Sequence, residues 1–325
     1  MIVIGGIAML EQLIGHTPMV KIKYRYQGKE GYVYAKLEYY NYTGSIKDRM
    51  AYYILKKAKE MGYLKDGQSI VEATSGNTGI SLAAIGAYFN HPVHIFMPDW
   101  VSVERLEIMK LYGAQVYLIS REEGGFQEAI KRSEEFAQVI GGFLPKQFEN
   151  PLNVEAHYDS TGKEILDLLP DVDTFVSGIG TGGTLMGVAK RLKEFNKDIR
   201  IVALEPSKMP MLSTGEVISN HKIEGIGDDF IPKIVDAHLI DDIILIDDED
   251  AINMSKLLAK KLGLGVGISS GANFLASVIM GGKCVATVFA DDFKKYLSTD
   301  LKKDIDENPL FFSNQIELLG LESIN

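Results

Sequence analysis

The sequence predicts an α/β fold in which parallel β-sheets carry helices on both faces. Short apolar runs of strand length alternate with longer amphipathic stretches along most of the chain, a pattern typical of successive β-α-β units. Glycine-rich segments also stand where predicted strands lead into predicted helices. The length of 325 residues provides enough apolar surface for a core that is divided between two lobes.

The first half of the chain supplies strands at residues 33–38, 68–73, 94–97 and 115–120. Each of these runs is short and apolar, as buried strands are. Helices are predicted for the stretch that ends near Phe89 and for residues 103–112, 126–139 and 153–169, where the apolar spacing follows the helical period.

The second half continues the alternation, with strands at 174–177, 200–205, 242–246 and 285–289 and helices at 185–195 and 249–262. The tail beyond about Asp304 has no clear partner in this scheme, and we expect a closing helix or an oligomer contact. The apolar start, Met1 to Met9, lacks the basic residues and cleavage site of a signal peptide. We interpret it as an N-terminal extension or as the consequence of an early start codon.

The composition excludes several classes of function. The net charge of −10 leaves no basic excess for phosphates, so nucleic acid is not an expected partner. No segment has the roughly 20 uninterrupted apolar residues of a membrane helix. The single cysteine, Cys284, cannot form an internal disulfide, which fits a cytoplasmic protein, and its apolar surroundings predict a buried strand residue. The histidines show no metal-site spacing, so no metal is expected.

The first glycine-rich segment contains Lys47, in Asn-Tyr-Thr-Gly-Ser-Ile-Lys-Asp-Arg. A lysine just inside a helix start lies in the positive field of the helix terminus. That field favours the neutral amine, which is the form that attacks an aldehyde to give a Schiff base. Taken alone, the pattern is better explained by a surface lysine at a helix start.

The second segment, Thr74-Ser75-Gly76-Asn77-Thr78-Gly79, follows the strand that ends at Ala73. Backbone N–H groups and hydroxyls at a helix N-terminus form a site suited to a carboxylate. The alternative is a plain strand-to-helix turn with a capping hydroxyl.

The third segment, Gly178 to Thr184 in Gly-Ile-Gly-Thr-Gly-Gly-Thr, also joins a strand to a helix. It suits a phosphate group, although no Walker lysine follows it. Together, the three segments offer a nucleophilic lysine, a carboxylate site and a phosphate site. Such a set matches a cofactor that carries an aldehyde and a phosphate, and a substrate that carries a carboxylate.

These segments resemble the motifs of the cysteine synthase and cystathionine β-synthase family, the β-family of pyridoxal-phosphate enzymes. The resemblance runs from Leu13-Ile14-Gly15-His16-Thr17-Pro18 to Tyr296-Leu297-Ser298-Thr299. It implies a two-domain, three-layer fold of the tryptophan-synthase-β type with pyridoxal 5′-phosphate between the domains. We expect a smaller domain at residues 50–147 and a larger one formed by 1–49 plus 148–325.

The resemblance also implies a role for each matching residue. Lys47 would form the Schiff base and move the α-proton, and Asn77 would bind the ring hydroxyl of the cofactor. The expected phosphate cradle consists of Gly180, Thr181, Gly182, Gly183 and Thr184. The expected site for the substrate carboxylate consists of Thr74, Ser75, Gly76, Thr78 and Gln147, with Gly227 at the mouth.

Ser270 matches the serine that faces the pyridine nitrogen in this family. A neutral hydroxyl does not keep that nitrogen protonated as a carboxylate would, so the ring is a weaker electron sink. Prompt loss of the β-substituent, giving an α-aminoacrylate, is then favoured over transamination. A nucleophile adds to the β-carbon afterwards.

One departure from the family narrows the expected reaction. Sulfhydrylases of this family have small residues after Gly-Ile-Gly, whereas this chain has Asp228 and Asp229. Such a loop repels hydrosulfide, which is an anion near neutral pH, and it offers a general base for water or a thiol. We therefore hypothesise that cysteine is consumed, with release of hydrogen sulfide and formation of serine or lanthionine. The alternatives are that both aspartates face solvent, and that the chain is an O-acetylserine sulfhydrylase or a cystathionine β-synthase.

Two other classes fit the sequence less well. The spacing of Gly178, Gly180 and Gly183, with Glu205 further on, also fits a Rossmann oxidoreductase, but that interpretation gives Lys47 no role. A non-catalytic binding protein would not need an intact Lys47. Homodimerisation is expected from the resemblance, and a serine acetyltransferase is a further partner that the resemblance leaves undetermined.

Overall fold

In the part of the chain that the structure describes, two β-sheets form the framework, one of seven strands and one of three. The structure is a computed structural model that describes residues 9–304, 306 and 308–324. The predicted N-terminal extension, apart from Met9, lies outside these residues. No helix in the described ranges is both long enough and apolar enough to cross a bilayer.

The larger sheet is mixed, with the strand order β10-β1-β2-β9-β6-β7-β8. Strands β2, β9, β6, β7 and β8 are parallel, whereas β1 is antiparallel to both β2 and β10. The strands are β1 (Met19–Tyr26), β2 (Lys29–Leu37), β6 (Thr174–Gly178), β7 (Arg200–Pro206), β8 (Asp242–Ile246), β9 (Val285–Phe289) and β10 (Ile316–Ile324). The turn between β1 and β2 is made by Gln27 and Gly28, both with positive φ, as a two-residue hairpin requires.

The smaller sheet is wholly parallel, in the order β3-β4-β5. Its strands are β3 (Ile70–Ala73), β4 (Val93–Pro98) and β5 (Gln115–Ile119). Every residue of β3 and β4 is buried, as expected for parallel strands that are covered on both faces. The predicted domain boundaries near residues 50 and 147 stay a prediction.

The helices cover both sheets. They are α1 (Lys47–Glu60), α2 (Asn77–Tyr88), α3 (Val103–Leu111), α4 (Gly125–Ile140), α5 (Pro151–His157), α6 (Lys163–Leu168), α7 (Gly183–Phe195), α8 (Asp248–Leu262) and α9 (Ile268–Met280). A π-helical segment, Tyr158–Gly162, joins α5 to α6, so the helix predicted for 153–169 is helical throughout but irregular at its centre. Strand β1 and helix α9 were not predicted.

The C-terminal tail contradicts one prediction. A closing helix was one expectation for the residues beyond Asp304, but the tail forms β10 and pairs antiparallel with β1 along its length. The long sequence separation between these strands hides the pairing, and the irregular burial of β10 gives little period-two signal.

Helix α1 is fixed by a cluster of buried charges. Arg49 donates from Nε to Glu38 (2.7 Å) and from Nη1 to Glu164 (2.7 Å), and Lys36 pairs with Glu164 at 2.5 Å. Two cations thus balance two carboxylates in a region that excludes water, where an unpaired charge would be costly. The cluster holds the start of α1, and with it Lys47, against the larger sheet.

Candidate active site

A cavity of about 960 Å³ lies at the carboxyl ends of β3, β6 and β9. This edge is where ligands bind in parallel sheets, because the strand-to-helix turns meet there. Most of the predicted site residues line the cavity, namely Lys47, Thr74, Ser75, Gly76, Asn77, Thr78, Gln147, Gly180, Thr181, Gly182, Thr184, Gly227, Asp228 and Asp229. Gly183 and Ser270 do not line it, although Ser269 does.

Lys47 is the first residue of α1, as predicted. The preceding loop is tied to the end of β9, since the N–H of Ile46 donates to the carbonyl of Ala290 (2.9 Å). Removal from bulk water lowers the pKa of the Lys47 amine, while Asp291 and Asp228 oppose that effect. The lysine is therefore placed where loss of its proton is favoured.

The predicted carboxylate site is held together by Gln147. Its Nε2 donates to the carbonyl of Ala73 (2.8 Å), and its Oε1 accepts from the hydroxyl of Thr78 (2.6 Å). Its backbone N–H donates to the buried carboxyl of Glu72 (3.2 Å). These contacts join the loop at 147 to the turn at 74–78, so two segments that are distant in sequence form one wall of the cavity.

Two positions of the third segment require glycine, one because another backbone segment lies close to it and one because of its backbone conformation. A Cβ on Gly180 would overlap the carbonyl of Gly225, and Gly182 has a φ of +86°, which favours glycine. Thr181 accepts a hydrogen bond from the Nδ2 of the buried Asn153 (3.0 Å). Helix α7 begins directly after this turn, so its first N–H groups point at the cavity as an anion site.

Asn77 and Asp291 form a polar pair that links the turn at 74–78 to the end of β9. Asn77 donates from Nδ2 to Oδ2 of Asp291 (2.7 Å), which also accepts from the hydroxyl of Tyr296 (2.6 Å). The other oxygens of this pair, Asn77 Oδ1 and Asp291 Oδ1, have no hydrogen-bond partner among the described residues, and the same holds for the buried Ser270 hydroxyl. Buried polar atoms of this kind normally have a partner.

The two aspartates of the acidic loop lie in different environments. Burial, and to a lesser extent the charge of Asp229, raise the pKa of Asp228 to about 7, whereas Lys47 acts against the shift. Asp229 is exposed and accepts a hydrogen bond from Nε2 of Gln127 (3.1 Å). Only Asp228 combines a protected position with a pKa suited to proton transfer near neutral pH.

Sequence patterns did not identify Arg105, Glu224 or Asp291 as site residues. Arg105 pairs with Glu224 across 119 residues of sequence and donates to the carbonyl of Ser75 (2.9 Å). It thereby connects the carboxylate turn to the acidic loop. Asp291 stands just after β9, and its position at the carboxyl end of a strand was the available signal.

Comparison with known proteins decides the family. Residues 10–288 match the model of the family described as pyridoxal-phosphate dependent enzymes. The chain belongs to this family. Cysteine synthase of Staphylococcus aureus (strain Mu50) is 42% identical over 299 residues, which cover 90% of this chain and 96% of that protein.

Solved structures of the same family confirm the predicted fold class. The hydrogen sulfide-producing enzyme of Fusobacterium nucleatum has a TM-score of 0.93 and 47% identity, and the match covers 98% of this chain and 99% of that one. A variant of this hydrogen sulfide-producing enzyme, complexed with an α-aminoacrylate intermediate, has a TM-score of 0.94 and 48% identity, with 97% of each chain covered. The chain is thus an enzyme whose cofactor is pyridoxal phosphate, and the Rossmann alternative is wrong. Glu205, which supported that alternative, instead caps the loop at Leu212 and Ser213.

The residues of the cavity fit this cofactor. Lys47 offers the amine, the turn before α7 offers a phosphate site, and Asn77 Oδ1, which has no partner among the described residues, offers a polar contact for an aromatic heterocycle. The likewise unpartnered Ser270 Oγ belongs to the residue that follows the lining residue Ser269 in the chain. His157, which contacts the Thr184 hydroxyl (3.3 Å), stays neutral beside the cradle because burial lowers its pKa to about 3. The roles of the individual residues stay predictions.

Proposed function

We propose that the enzyme consumes L-cysteine by β-replacement, releasing hydrogen sulfide and forming serine, with Asp228 as the general base for water. In the balanced reaction, the carbon–sulfur bond breaks and sulfur leaves as hydrosulfide. The oxygen of water then bonds to the β-carbon, and a proton from water goes to Asp228 and from there to hydrosulfide, while the α-proton taken by Lys47 returns to the α-carbon. Cysteine and water thus give serine and hydrogen sulfide without a net change in oxidation state.

The observation that carries this proposal is the position of Asp228. Its carboxyl shares the cavity with Lys47, and its pKa of about 7 leaves about half of it ionised at pH 7. A base with such a pKa takes a proton from water readily and returns it readily. The exposed Asp229 supports this role indirectly, because its charge helps to raise the pKa of its neighbour.

The other groups of the site accept electrons, move the α-proton or orient the substrate. Pyridoxal phosphate, when bound, supplies the electron sink that permits loss of the α-proton and of the β-substituent. Lys47 receives the α-proton at its Nζ. The turn at 74–78 and Gln147 orient the substrate carboxylate, and Ser270, as a neutral group, favours expulsion of the β-substituent.

The acidic loop also disfavours the approach of hydrosulfide as a nucleophile. Hydrosulfide near the β-carbon meets the ionised fraction of Asp228 in a partly dehydrated site, where like charges repel, whereas the exposed Asp229 adds only a screened charge. The similarity to hydrogen sulfide-producing enzymes at 47–48% identity supports the same direction.

Cysteine synthesis from O-acetylserine is the second candidate. It is favoured by the 42% identity to a cysteine synthase over 90% of this chain. Homodimerisation, a serine acetyltransferase partner, lanthionine formation and cystathionine β-synthase activity stay predictions from the resemblance.

Parallel assays of the holoenzyme test the proposal. One reaction contains L-cysteine alone, and the other contains O-acetylserine with sulfide. We expect sulfide and serine in equal amounts from the first reaction, with little pyruvate. Rapid cysteine formation in the second reaction, with no sulfide released in the first, would establish the cysteine synthase alternative instead.

A further inference from the structure

His221 contacts the acidic loop through both of its ring nitrogens. Nε2 lies 2.6 Å from the carbonyl oxygen of Gly227, and Nδ1 lies 3.2 Å from the backbone nitrogen of Ile223. Because a carbonyl only accepts and a backbone N–H only donates, these contacts fix the tautomer. Nε2 carries the proton and donates it, while Nδ1 accepts.

The residue that His221 holds is tightly constrained. Gly227 has a φ of +75°, and a Cβ there would lie 2.6 Å from Cγ of Pro206 and 2.9 Å from Nε2 of His221. Its own N–H donates to the carbonyl of Ile179 (2.8 Å). Gly227 is thus fixed through both its N–H and its carbonyl, and the next residue in the chain is Asp228.

We propose that His221 is a positioning residue that fixes Asp228 against the cavity through the Gly227 carbonyl, and that it does so only as the neutral imidazole. The role given to Asp228 rests on the proposed function, but the contact by which His221 fixes the loop does not depend on it. Protonation would place an N–H on Nδ1, directly opposite the N–H of Ile223. The contact between Nδ1 and the Ile223 N–H would then break, and the ring would have to turn away from that N–H, which moves Nε2 off the Gly227 carbonyl.

The surroundings of His221 favour the neutral form. Burial is the largest influence and lowers its pKa from 6.5, and Lys208 acts in the same direction. The Gly227 carbonyl, Asp248 of α8 and Glu224 of the same loop raise the pKa. The charge of Asp248 is partly compensated, since it pairs with Lys208 at 2.9 Å. The contacts are therefore intact at neutral pH and are lost on acidification.

This arrangement predicts two ionisations on the acid side of the pH profile. Asp228 must lose a proton to act, and its pKa is about 7. His221 must also be unprotonated, and burial lowers its pKa below the usual 6.5. The slope of log kcat for serine formation against pH should therefore approach about one just below pH 7 and about two at lower pH.

Two substitutions distinguish the effect of the His221 hydrogen bond from the effect of protonating His221. His221→Gln keeps a donor amide at the reach of Nε2 but cannot be protonated, whereas His221→Leu removes the donor. His238→Gln is the matched control, because His238 is exposed and does not line the cavity. Each holoenzyme is measured for backbone hydrogen–deuterium exchange at residues 224–230, for single-turnover sulfide release, and for kcat of serine formation.

We expect His221→Leu to speed exchange at 224–230 and to lower kcat for serine by at least about 100-fold, because Asp228 is then no longer held in place as the general base. Single-turnover sulfide release should change less than about twofold, because the carboxylate site and Lys47 are intact. His221→Gln should restore both values and reduce the limiting acid slope to about one. His238→Gln should match the wild type in all three measurements.

Unchanged exchange at 224–230 in His221→Leu would overturn the inference, and so would a slope of about two that persists in His221→Gln. If His221→Leu fails to fold, the slope in His221→Gln still decides. The exchange data do not depend on chemistry at Asp228. A failure of the proposed function, seen as normal serine formation by Asp228→Asn, is therefore distinguishable from a failure of this inference.

Discussion

Asp228→Asn removes the proposed base while preserving the size of the side chain. A well-placed general base contributes roughly 100- to 10,000-fold to the rate, so we expect kcat for serine formation to fall by at least about 100-fold. Single-turnover release of sulfide should persist, because it depends on Lys47 rather than on the base for water. Rapid quenching of the holoenzyme with L-cysteine, with sulfide and serine quantified separately, measures both steps.

The pH dependence follows from the raised pKa of Asp228. With a pKa of about 7, the ionised fraction at pH 6 is about one tenth of that at pH 8, so wild-type serine formation should fall about tenfold or more over this interval. The residual activity of Asp228→Asn should lack the ionisation near pH 7.

The same shift has a consequence for stability. The pKa of Asp228 is raised in the folded chain from 3.8 to about 7, so its contribution is present below pH 3.8 and is lost as the pH rises through 7. The upper limit is about 4 kcal/mol, and partial exposure of the side chain reduces it. Asp228→Asn should therefore gain thermal stability relative to the wild type at pH 8 but not at pH 4.

Asp229→Asn is the matched control for these measurements. Asp229 is exposed and bonded to Gln127, so its substitution should alter serine formation by less than about threefold, mainly through the pKa of its neighbour. Serine formation by Asp228→Asn within threefold of the wild type would refute the assignment of the base. Equal losses in both variants would indicate a general charge effect of the loop.

Two further substitutions test the scaffold. Gly180→Ala should weaken binding of pyridoxal phosphate at least about fivefold, measured by fluorescence titration, because the new Cβ overlaps the carbonyl of Gly225 and forces the turn to shift; an unchanged dissociation constant would contradict the cradle. Glu38→Gln should lower the free energy of unfolding in urea at pH 7 by about 3–5 kcal/mol, because it leaves the buried Arg49 without a full counter-charge.

Two controls accompany Glu38→Gln: the pH dependence of the free energy of unfolding, and a substitution in an exposed ion pair. Burial alone would raise the pKa of Glu38, but Arg49 and Lys36 together outweigh burial and hold it below its usual value. Its stabilisation is therefore present above pH 4.5 and is lost as the pH falls through the lowered pKa. Lys163→Ala breaks an exposed pair with Asp167 and should change stability by less than about 0.5 kcal/mol. Equal effects of the two substitutions would show that the buried cluster stabilises the fold no more than an exposed ion pair does.

The sequence predicted those parts of the site whose signal is local. Lys47, the turn at 74–78 and the turn before α7 each combine glycine or hydroxyl residues with a strand-to-helix junction, and that combination is visible within about ten residues of sequence. The structure brings all three segments to one cavity.

Features that depend on distant pairs could not be predicted in this way. Arg105 meets Glu224 across 119 residues and Asn77 meets Asp291 across 214, and no local pattern encodes such partners. Strand β10 was missed for the same reason, since it becomes a strand by pairing with β1 near the other end of the chain. The different roles of Asp228 and Asp229 could likewise not be predicted, because both stand in the same sequence motif and only the structure shows that Asp229 is exposed and Asp228 is not.

The central claim is that water supplies the group that replaces sulfur on the β-carbon. Incubation of the holoenzyme with L-cysteine in oxygen-18-labelled water, followed by mass spectrometry of the amino-acid products, tests it most directly. We expect serine that carries one labelled oxygen in its side chain, formed in equal amount to the sulfide released. Release of sulfide with pyruvate or lanthionine but no labelled serine would contradict it.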